Sequence, residues 1–145
     1  MGAVLVTLQF GLLLLLAWMA SARIADGPVS ALAVILALAS MALAFWTLLH
    51  NRPGNFNIRP TPHKRGQLIT SGPYRHVRHP MYSAVLLGAA ALALMSPPLP
   101  GWLAWIVLLA VLLGKAALEE RWLMLAHPTY AAYRAHSWRL VPGLF

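Results

Sequence analysis

The chain has 145 residues, of which 60% are hydrophobic and only 10% are charged, so the composition excludes an ordinary soluble domain and indicates a single-domain integral membrane protein. The formal net charge of +8 would suggest nucleic acid binding in a soluble protein, but here the basic residues fall between apolar segments, as in membrane proteins. The chain has no cysteine, which excludes a catalytic thiol and a thiolate metal site. We therefore predict a bilayer-embedded protein with no nucleic acid partner.

Two apolar segments precede the first long polar stretch. Residues 4–22 predict a membrane helix rather than a secretory signal, because the segment lacks a basic start and a good small-residue cleavage site. A short connection leads to a second predicted helix over residues 31–49, for which Ser30 is a candidate N-cap. Residues 1–50 are therefore expected to supply two membrane helices.

The longest polar stretch, residues 51–79, contains six basic residues and no acidic residue. Its prolines and glycines forbid one continuous helix, and structureless segments of this length are usually functional or disordered. We expect an ordered loop along the membrane interface, with apolar anchors at Ile58, Leu68, Ile69 and Tyr74.

The second half of the chain predicts two more apolar helices and a short tail helix. Residues 80–95 should form a helix that starts at Pro80, because proline suits the first helical position and the residue before it disfavours the helix. At about 1.5 Å per residue this helix reaches roughly 24 Å, less than a hydrocarbon core of about 30 Å. Residues 102–118 predict a fourth helix that continues to Ala126, and residues 129–137 predict a short amphipathic helix.

The predicted fold class is therefore an all-α polytopic membrane protein with about four transmembrane helices. The second connection is strongly basic, whereas the first has no net charge and the third has no charged residue. By the positive-inside rule, both termini and the basic loop are expected on the cytoplasmic side, in a bacterial inner membrane. The segment 71–82, the pair Glu119 and Glu120, and the C-terminal tail should then meet at one face.

The polar segment 71–82 lies directly before the third helix. The free backbone N–H groups and the positive dipole end of that helix should face Arg75, Arg78 and His79, and such a place holds an anion. Binding of lipid headgroups by an arginine-rich loop is the simpler interpretation.

Histidines in and near this segment raise the question of a metal site. His76 and His79 are three residues apart, and His50 or His63 could complete a ligand set. Pro80 forces the residue before it into an extended conformation, and the chain offers no thiolate and few carboxylates. We therefore predict no metal site.

Glu119 and Glu120 are the most informative acidic residues. Carboxylates at the cytoplasmic end of a membrane helix oppose the helix dipole and do not set the orientation of the helix, so their presence indicates another role. A structural interpretation pairs them with Arg78, Arg121 or Arg134, which would hold the tail against the loop. In a functional interpretation, one glutamate receives a ligand's ammonium or ribose hydroxyls while the other pairs with an arginine. The two interpretations are compatible.

Taken together, the motifs resemble the isoprenylcysteine carboxyl methyltransferase family and the related phospholipid methyltransferases. The resemblance covers about residues 51–142, which we interpret as the cofactor-binding and catalytic core. Its segments are Asn51-Arg52-Pro53-Gly54, Ser71-Gly72-Pro73-Tyr74-Arg75, Val77-Arg78-His79-Pro80-Met81-Tyr82, Glu119-Glu120-x-x-Leu123 and Tyr130-x-x-Tyr133-Arg134. The resemblance implies a membrane enzyme that uses S-adenosylmethionine, releases S-adenosylhomocysteine, and takes a lipophilic acceptor from the bilayer.

Roles for individual residues follow from the same resemblance. The implied cofactor contacts are Gly72, Pro73, Tyr74, Arg78, His79, Pro80, Tyr82, Glu119 and Glu120. The candidate catalytic residues are Arg75, Glu120 and Arg134. Arg75 and Arg134 could hold a carboxylate substrate, whereas Glu120 or His79 could take the proton of an amine substrate.

The expected activity is carboxyl O-methylation of a lipophilic, isoprenylcysteine-like acceptor. Lipid amine N-methylation and thiol S-methylation are the alternatives within the class. Membrane sterol reductases, which use NADPH, have a similar C-terminal region, but the loop shows no glycine-rich dinucleotide fingerprint. A lipid-binding membrane subunit without enzymatic activity is the remaining alternative.

Overall fold

The computed structural model describes residues 2–51 and 68–144. It contains α1 (Gly2–Asp26), α2 (Ala31–His50), a 3-10 turn (Gly72–Arg75), α3 (Pro80–Leu94), α4 (Pro98–Ala126) and α5 (Tyr130–Ala135). The described part of the chain forms no β-strand, and its one isolated bridge joins Val77 to Trp138. The predicted all-α class is confirmed, while the expectations for residues 52–67, including the anchor at Ile58, lie outside the described residues.

The described helices differ in their capacity to cross a bilayer. Three of them, α1, α2 and α4, are long and apolar enough to span it. The fourth apolar helix, α3, has 15 residues and is about 22 Å long, shorter than a hydrocarbon core of about 30 Å. The short third helix expected from the sequence is therefore present, and it starts at Pro80 as predicted.

Several predicted boundaries were wrong. The fourth helix begins at Pro98 rather than residue 102, because first-turn positions need no backbone N–H donor and so accept Pro98 and Pro100. The first helix extends beyond residues 4–22 at both ends, and the tail helix is shorter than residues 129–137. Ser30 does occupy the N-cap position of α2, but its side chain makes no capping hydrogen bond.

The central helix is α3, which packs against α1, α2 and α4. Its contact with α2 is close, since a Cβ atom at Gly88 would lie 2.9 Å from Ser40 Oγ. That hydroxyl donates a hydrogen bond of 2.7 Å to the carbonyl oxygen of Ala84. Small side chains allow membrane helices to approach in this way. The other small buried residues of α3 are Ala89, Ala91 and Ala93.

Leucine side chains fill the space between α1, α3 and α4. Leu16, Leu86, Leu108 and Leu112 form one buried cluster. The outward faces of α1 and α2 are exposed and apolar, as at Leu14, which is 72% exposed. Such faces suit contact with lipid tails rather than water.

The C-terminal tail is bound to the start of α3. The backbone N–H of Arg78 donates to the carbonyl oxygen of Trp138 at 2.7 Å, and that of His79 donates to Arg139 at 3.1 Å. Ser83 Oγ donates to the carbonyl oxygen of Leu140 at 2.6 Å. The tail therefore lies alongside the segment that the sequence marked as polar.

Candidate active site

The 3-10 turn is fixed between α2 and α5. Gly72 has a φ of 59°, and a Cβ atom there would overlap the ring of His50, so the position requires glycine. Pro73 is buried in the turn. The carbonyl oxygen of Tyr74 accepts a hydrogen bond of 2.6 Å from the Tyr133 hydroxyl. The turn thus presents its side chains from a fixed backbone.

The start of α3 is formed by His79 and Pro80. Pro80 occupies the first helical position and is buried. The carbonyl oxygen of His79 accepts the backbone N–H groups of Tyr82 and Ser83 at 3.0 and 3.1 Å. The imidazole of His79 is consequently held at the helix N-terminus, with the residue only 6% exposed.

Glu120 is a buried carboxylate surrounded by basic side chains. Its Oε1 accepts hydrogen bonds from Arg78 Nε at 2.9 Å and from Arg139 Nε at 3.2 Å, and its Oε2 accepts one from Arg139 Nη2 at 3.1 Å. His79 Nε2 lies 3.3 Å from Oε1, and Arg134 Nε lies 3.9 Å from Oε2. With a side-chain exposure of 4%, this carboxylate anchors the whole basic group.

Arg78 links that carboxylate to the tail. Besides its bond to Glu120, its guanidinium donates to the backbone carbonyl oxygens of Arg134 and Ser137. A buried guanidinium needs such acceptors because its charge is costly to desolvate. Arg78 therefore fixes the tail and α4 relative to the start of α3.

Glu119 has a different environment from its neighbour. Its side chain is 26% exposed, and its Oε2 accepts a hydrogen bond of 3.0 Å from the Tyr82 hydroxyl. The same oxygen lies 3.4 Å from His79 Nδ1. The imidazole of His79 therefore lies between the two glutamates, and it stacks on the Tyr82 ring at 5.3 Å between centroids.

The titration of groups outside the membrane helices follows from these contacts. Burial alone would lower the pKa of His79, but the hydrogen bonds and charges of Glu119 and Glu120 outweigh burial and raise it. Burial, with a smaller contribution from the charge of Glu119, raises the pKa of Tyr74 to about 12. Burial also raises the pKa of Tyr133 to about 12. Both phenols are therefore hydrogen-bond donors at neutral pH.

Tyr130 carries an unpaired hydroxyl group. The residue is 1% exposed, and its hydroxyl has no hydrogen-bond partner among the described residues. Its ring packs edge-on against Tyr133, with 5.8 Å between centroids. Buried hydroxyl groups are normally paired, so this one is available to a bound molecule.

The structure brings together most residues that the sequence singled out. Arg78, His79, Tyr82, Glu119 and Glu120 are in direct contact, with Arg134 beside them. The suggested pairing with Arg78 and Arg134 is confirmed for Glu120, although Arg134 is 49% exposed, whereas Glu119 forms no ion pair with an arginine among the described residues.

Two arginines lie apart from the carboxylates. Arg75 is exposed at the end of the 3-10 turn, and Arg121 is exposed on α4. Within residues 2–51 and 68–144, neither forms an ion pair with a glutamate. The suggested pairing through Arg121 was therefore wrong, and the catalytic role of Arg75 stays a prediction.

Sequence reasoning missed Arg139, which makes two hydrogen bonds to Glu120. It lies outside every motif, and no spacing relates it to a glutamate 19 positions earlier. The available signal was that Arg139 is a basic residue in the C-terminal tail, which was expected to lie at the site. In the described ranges, no group of three or more histidine, aspartate and glutamate side chains is arranged to hold a metal ion.

A comparison with protein-family models matches residues 28–130 to a family described as phospholipid methyltransferase. The matched segment contains α2, α3, α4 and both glutamates. No curated protein and no solved structure gives a significant match to the chain.

Proposed function

Given that the chain belongs to the phospholipid methyltransferase family, we propose that it transfers a methyl group from S-adenosylmethionine to a lipophilic acceptor at the membrane surface. The family implies a membrane methyltransferase that acts on lipid-type substrates. The observation that carries the proposal is the network of Arg78, His79, Tyr82, Glu119 and Glu120 at one end of an apolar helix bundle.

The residues present fit this cofactor. Its ammonium and ribose hydroxyls need acceptors, which the partly exposed carboxylate of Glu119 offers. Its carboxylate needs donors, which the half-exposed guanidinium of Arg134 offers. The unpaired hydroxyl of Tyr130 can complete one further hydrogen bond. When bound, S-adenosylmethionine supplies an electrophilic methyl group.

The two glutamates are proposed to have different roles. Glu120 accepts hydrogen bonds from Arg78 and Arg139 and lies beside His79, so its lone pairs are already engaged. We assign it a positioning role, while the direct ligand contact expected from the resemblance stays a prediction. Glu119 accepts one hydrogen bond from Tyr82 and remains open to a ligand. The chain's part in methyl transfer is to align the two reactants and exclude water.

Carboxyl O-methylation of an isoprenylcysteine-like acceptor is the favoured reaction. Arg134 and Arg75 present exposed guanidinium groups that can hold a carboxylate oxygen in line for attack. A carboxylate is already deprotonated at neutral pH, so this reaction needs no base.

N-methylation of a lipid amine is the second candidate. Glu119 is a partly exposed carboxylate in contact with His79, and such a pair can take the proton that an ammonium must lose before it attacks. The description of the family also favours phospholipid acceptors.

The first test is calorimetric titration of the detergent-purified protein with S-adenosylmethionine and S-adenosylhomocysteine, with NADPH as a control ligand. We expect saturable binding of the two adenosyl compounds alone. Tyr130→Phe should weaken that binding by about threefold to tenfold without lowering the melting temperature, since the apo protein loses no hydrogen bond. Tyr133→Phe is the matched control, because it removes a bond to Tyr74 and should lower the melting temperature.

The acceptor is tested by transfer of a labelled methyl group. A lipophilic isoprenylcysteine acid and an aminophospholipid are offered separately in vesicles. A base-labile product from the acid, released as methanol, supports carboxyl methylation, whereas a base-stable label on the lipid supports N-methylation. Absence of adenosyl-compound binding in the titration contradicts both assignments.

A further inference from the structure

A buried lysine lies one helical turn beneath the candidate site. Lys115 of α4 is 2% exposed, and its Nζ donates a hydrogen bond of 2.5 Å to Oε1 of Gln9 on α1. Gln9 is itself 8% exposed. Within the described residues, no carboxylate oxygen lies within 4 Å of this ammonium group. An ammonium in an apolar helix bundle is costly and marks a functional position.

The ammonium also lies over an aromatic ring of the site. Lys115 Nζ is 5.2 Å from the centroid of the Tyr82 ring. The hydroxyl of Tyr82 donates to Glu119 Oε2, and its ring is nearly parallel to that of His79, with 4° between the planes. A series of contacts therefore runs from the interior of the bundle to the site, through Gln9, Lys115, Tyr82 and Glu119 in that order.

The helical register makes this connection direct. Lys115 and Glu119 are four residues apart on α4, so they share a face and lie about 6 Å apart along the axis. Tyr82, in the first turn of α3, contacts Lys115 through its ring and Glu119 through its hydroxyl. Each of the three helices α1, α3 and α4 thus contributes one side chain that supports the carboxylate of Glu119 from the interior of the bundle. These side chains are Gln9, Tyr82 and Lys115.

We propose that Lys115 and Gln9 are positioning residues that hold the Tyr82 ring and, through its hydroxyl, orient Glu119 toward a bound adenosyl ligand. The proposal rests on the proposed function. A cation over a phenol ring attracts its π electrons and strengthens the hydroxyl as a donor, which tightens the bond to the carboxylate. Gln9 keeps the ammonium in place, because no other described side chain is seen to accept its protons.

The competing explanation is that Lys115 and Gln9 only hold helices together. Ser40 provides the comparison, since it also makes a hydrogen bond between helices, from α2 to α3, and its acceptor is the backbone carbonyl oxygen of Ala84 rather than a group of the site. Ser40→Ala is therefore the matched control for the loss of a polar helix contact.

The experiment measures S-adenosylhomocysteine affinity and melting temperature in detergent for Lys115→Met, Lys115→Arg and Ser40→Ala. We expect Lys115→Met to weaken binding about tenfold, with most of the affinity kept by Lys115→Arg, which preserves a cation over the ring. Ser40→Ala should lower the melting temperature and leave the affinity unchanged. A Lys115→Met protein with normal affinity contradicts the proposal.

A double-mutant comparison tests whether Lys115 acts through the Tyr82 hydroxyl. In a Tyr82→Phe background, adding Lys115→Met should weaken binding by less than about twofold, because the bond that it supports is already absent. An equal loss with and without the hydroxyl contradicts the proposal. If Lys115→Met does not fold, Gln9→Leu takes its place and should change the affinity in the same direction.

A measurement without ligand separates this proposal from the proposed function. Fluorotyrosine labelling reports on the four tyrosines by nuclear magnetic resonance, and Tyr82→Phe identifies the signal of Tyr82. Lys115→Met should shift or broaden that signal, whereas Ser40→Ala should not, even if the wild-type protein binds no adenosyl compound. An unchanged signal contradicts the positioning role, and absence of wild-type binding contradicts only the proposed function.

Discussion

Two neighbouring glutamates in one helix have opposite surroundings. Glu120 faces Arg78 and Arg139 and is buried, whereas Glu119 faces Tyr82 and remains partly exposed. The sequence predicted that the pair matters but could not assign the two roles, because the choice depends on which face of α4 meets the tail. Arg139, the residue that decides this, lies outside every recognisable motif.

The contrast predicts different results for two isosteric changes. Glu120→Gln should lower the free energy of unfolding by about 3 kcal/mol, because Arg78 keeps a buried charge without its carboxylate. Glu119→Gln should lower it by only about 1 kcal/mol, because the amide oxygen still accepts from Tyr82 while the charge beside His79 is lost, and it should weaken adenosyl-compound binding. Denaturant unfolding in detergent and calorimetric titration measure the two effects. A stability loss in Glu119→Gln equal to that in Glu120→Gln would contradict the division.

His79 predicts a pH dependence of stability. Its pKa in the folded protein is raised above the ordinary value of 6.5, so the protonated imidazole stabilises the fold. This contribution is complete below the unfolded-state pKa of about 6.5 and is lost as the pH rises through the folded-state pKa. The difference in melting temperature between wild type and His79→Gln should therefore shrink as the pH rises above 6.5. A difference that grows with pH would show that the neutral imidazole is the stabilising form.

At the scale of elements, proline predicted the start of one helix correctly and the start of another incorrectly. The start of α3 at Pro80 follows from the backbone restrictions of proline and was predicted correctly. The same restrictions allow Pro98 and Pro100 in the first turn of α4, yet the sequence prediction began this helix at residue 102, after both prolines. The packing of α2 on α3 through Ser40 and Gly88 could not be predicted, because both segments are apolar along most of their length and show no hydrophobic periodicity that marks the contact face.

The contact between α2 and α3 predicts an asymmetry between two glycines. Gly88→Val should lower the free energy of unfolding by about 1–3 kcal/mol, because even its Cβ atom would lie 2.9 Å from Ser40 Oγ. Gly114→Val is the matched control, since a Cβ atom there meets nothing within 4 Å. Thermal unfolding in detergent measures both variants, and an equal loss would mean that helix propensity rather than packing decides.

At the scale of the molecule, polar residues are concentrated at one end of an apolar bundle. The network that joins the start of α3, the end of α4 and the tail lies at this end. Composition and charge were enough to predict the class, since apolar helices and basic connections leave few arrangements. The meeting of the tail with the polar segment was expected, but the pairing of Arg78 and His79 with Trp138 and Arg139 was not predictable, because it uses backbone hydrogen bonds that any sequence can make.

The orientation predicted from the loop charges is tested with reporters. A fusion after Phe145 should report a cytoplasmic location, and an insertion at Gly27, in the first connection, should report the opposite side. A reporter signal from the external side at Phe145 would reverse the topology and place the carboxylates outside the cell.

The attachment of the tail to the start of α3 also orders the biogenesis of the protein. Arg139 follows α4 in the chain, so it leaves the ribosome after the helix that carries Glu120. Of its three arginine partners, the carboxylate of Glu120 can therefore meet only Arg78 until synthesis reaches Arg134 and Arg139 in the tail. The candidate site is thus completed only after the helix bundle has been made.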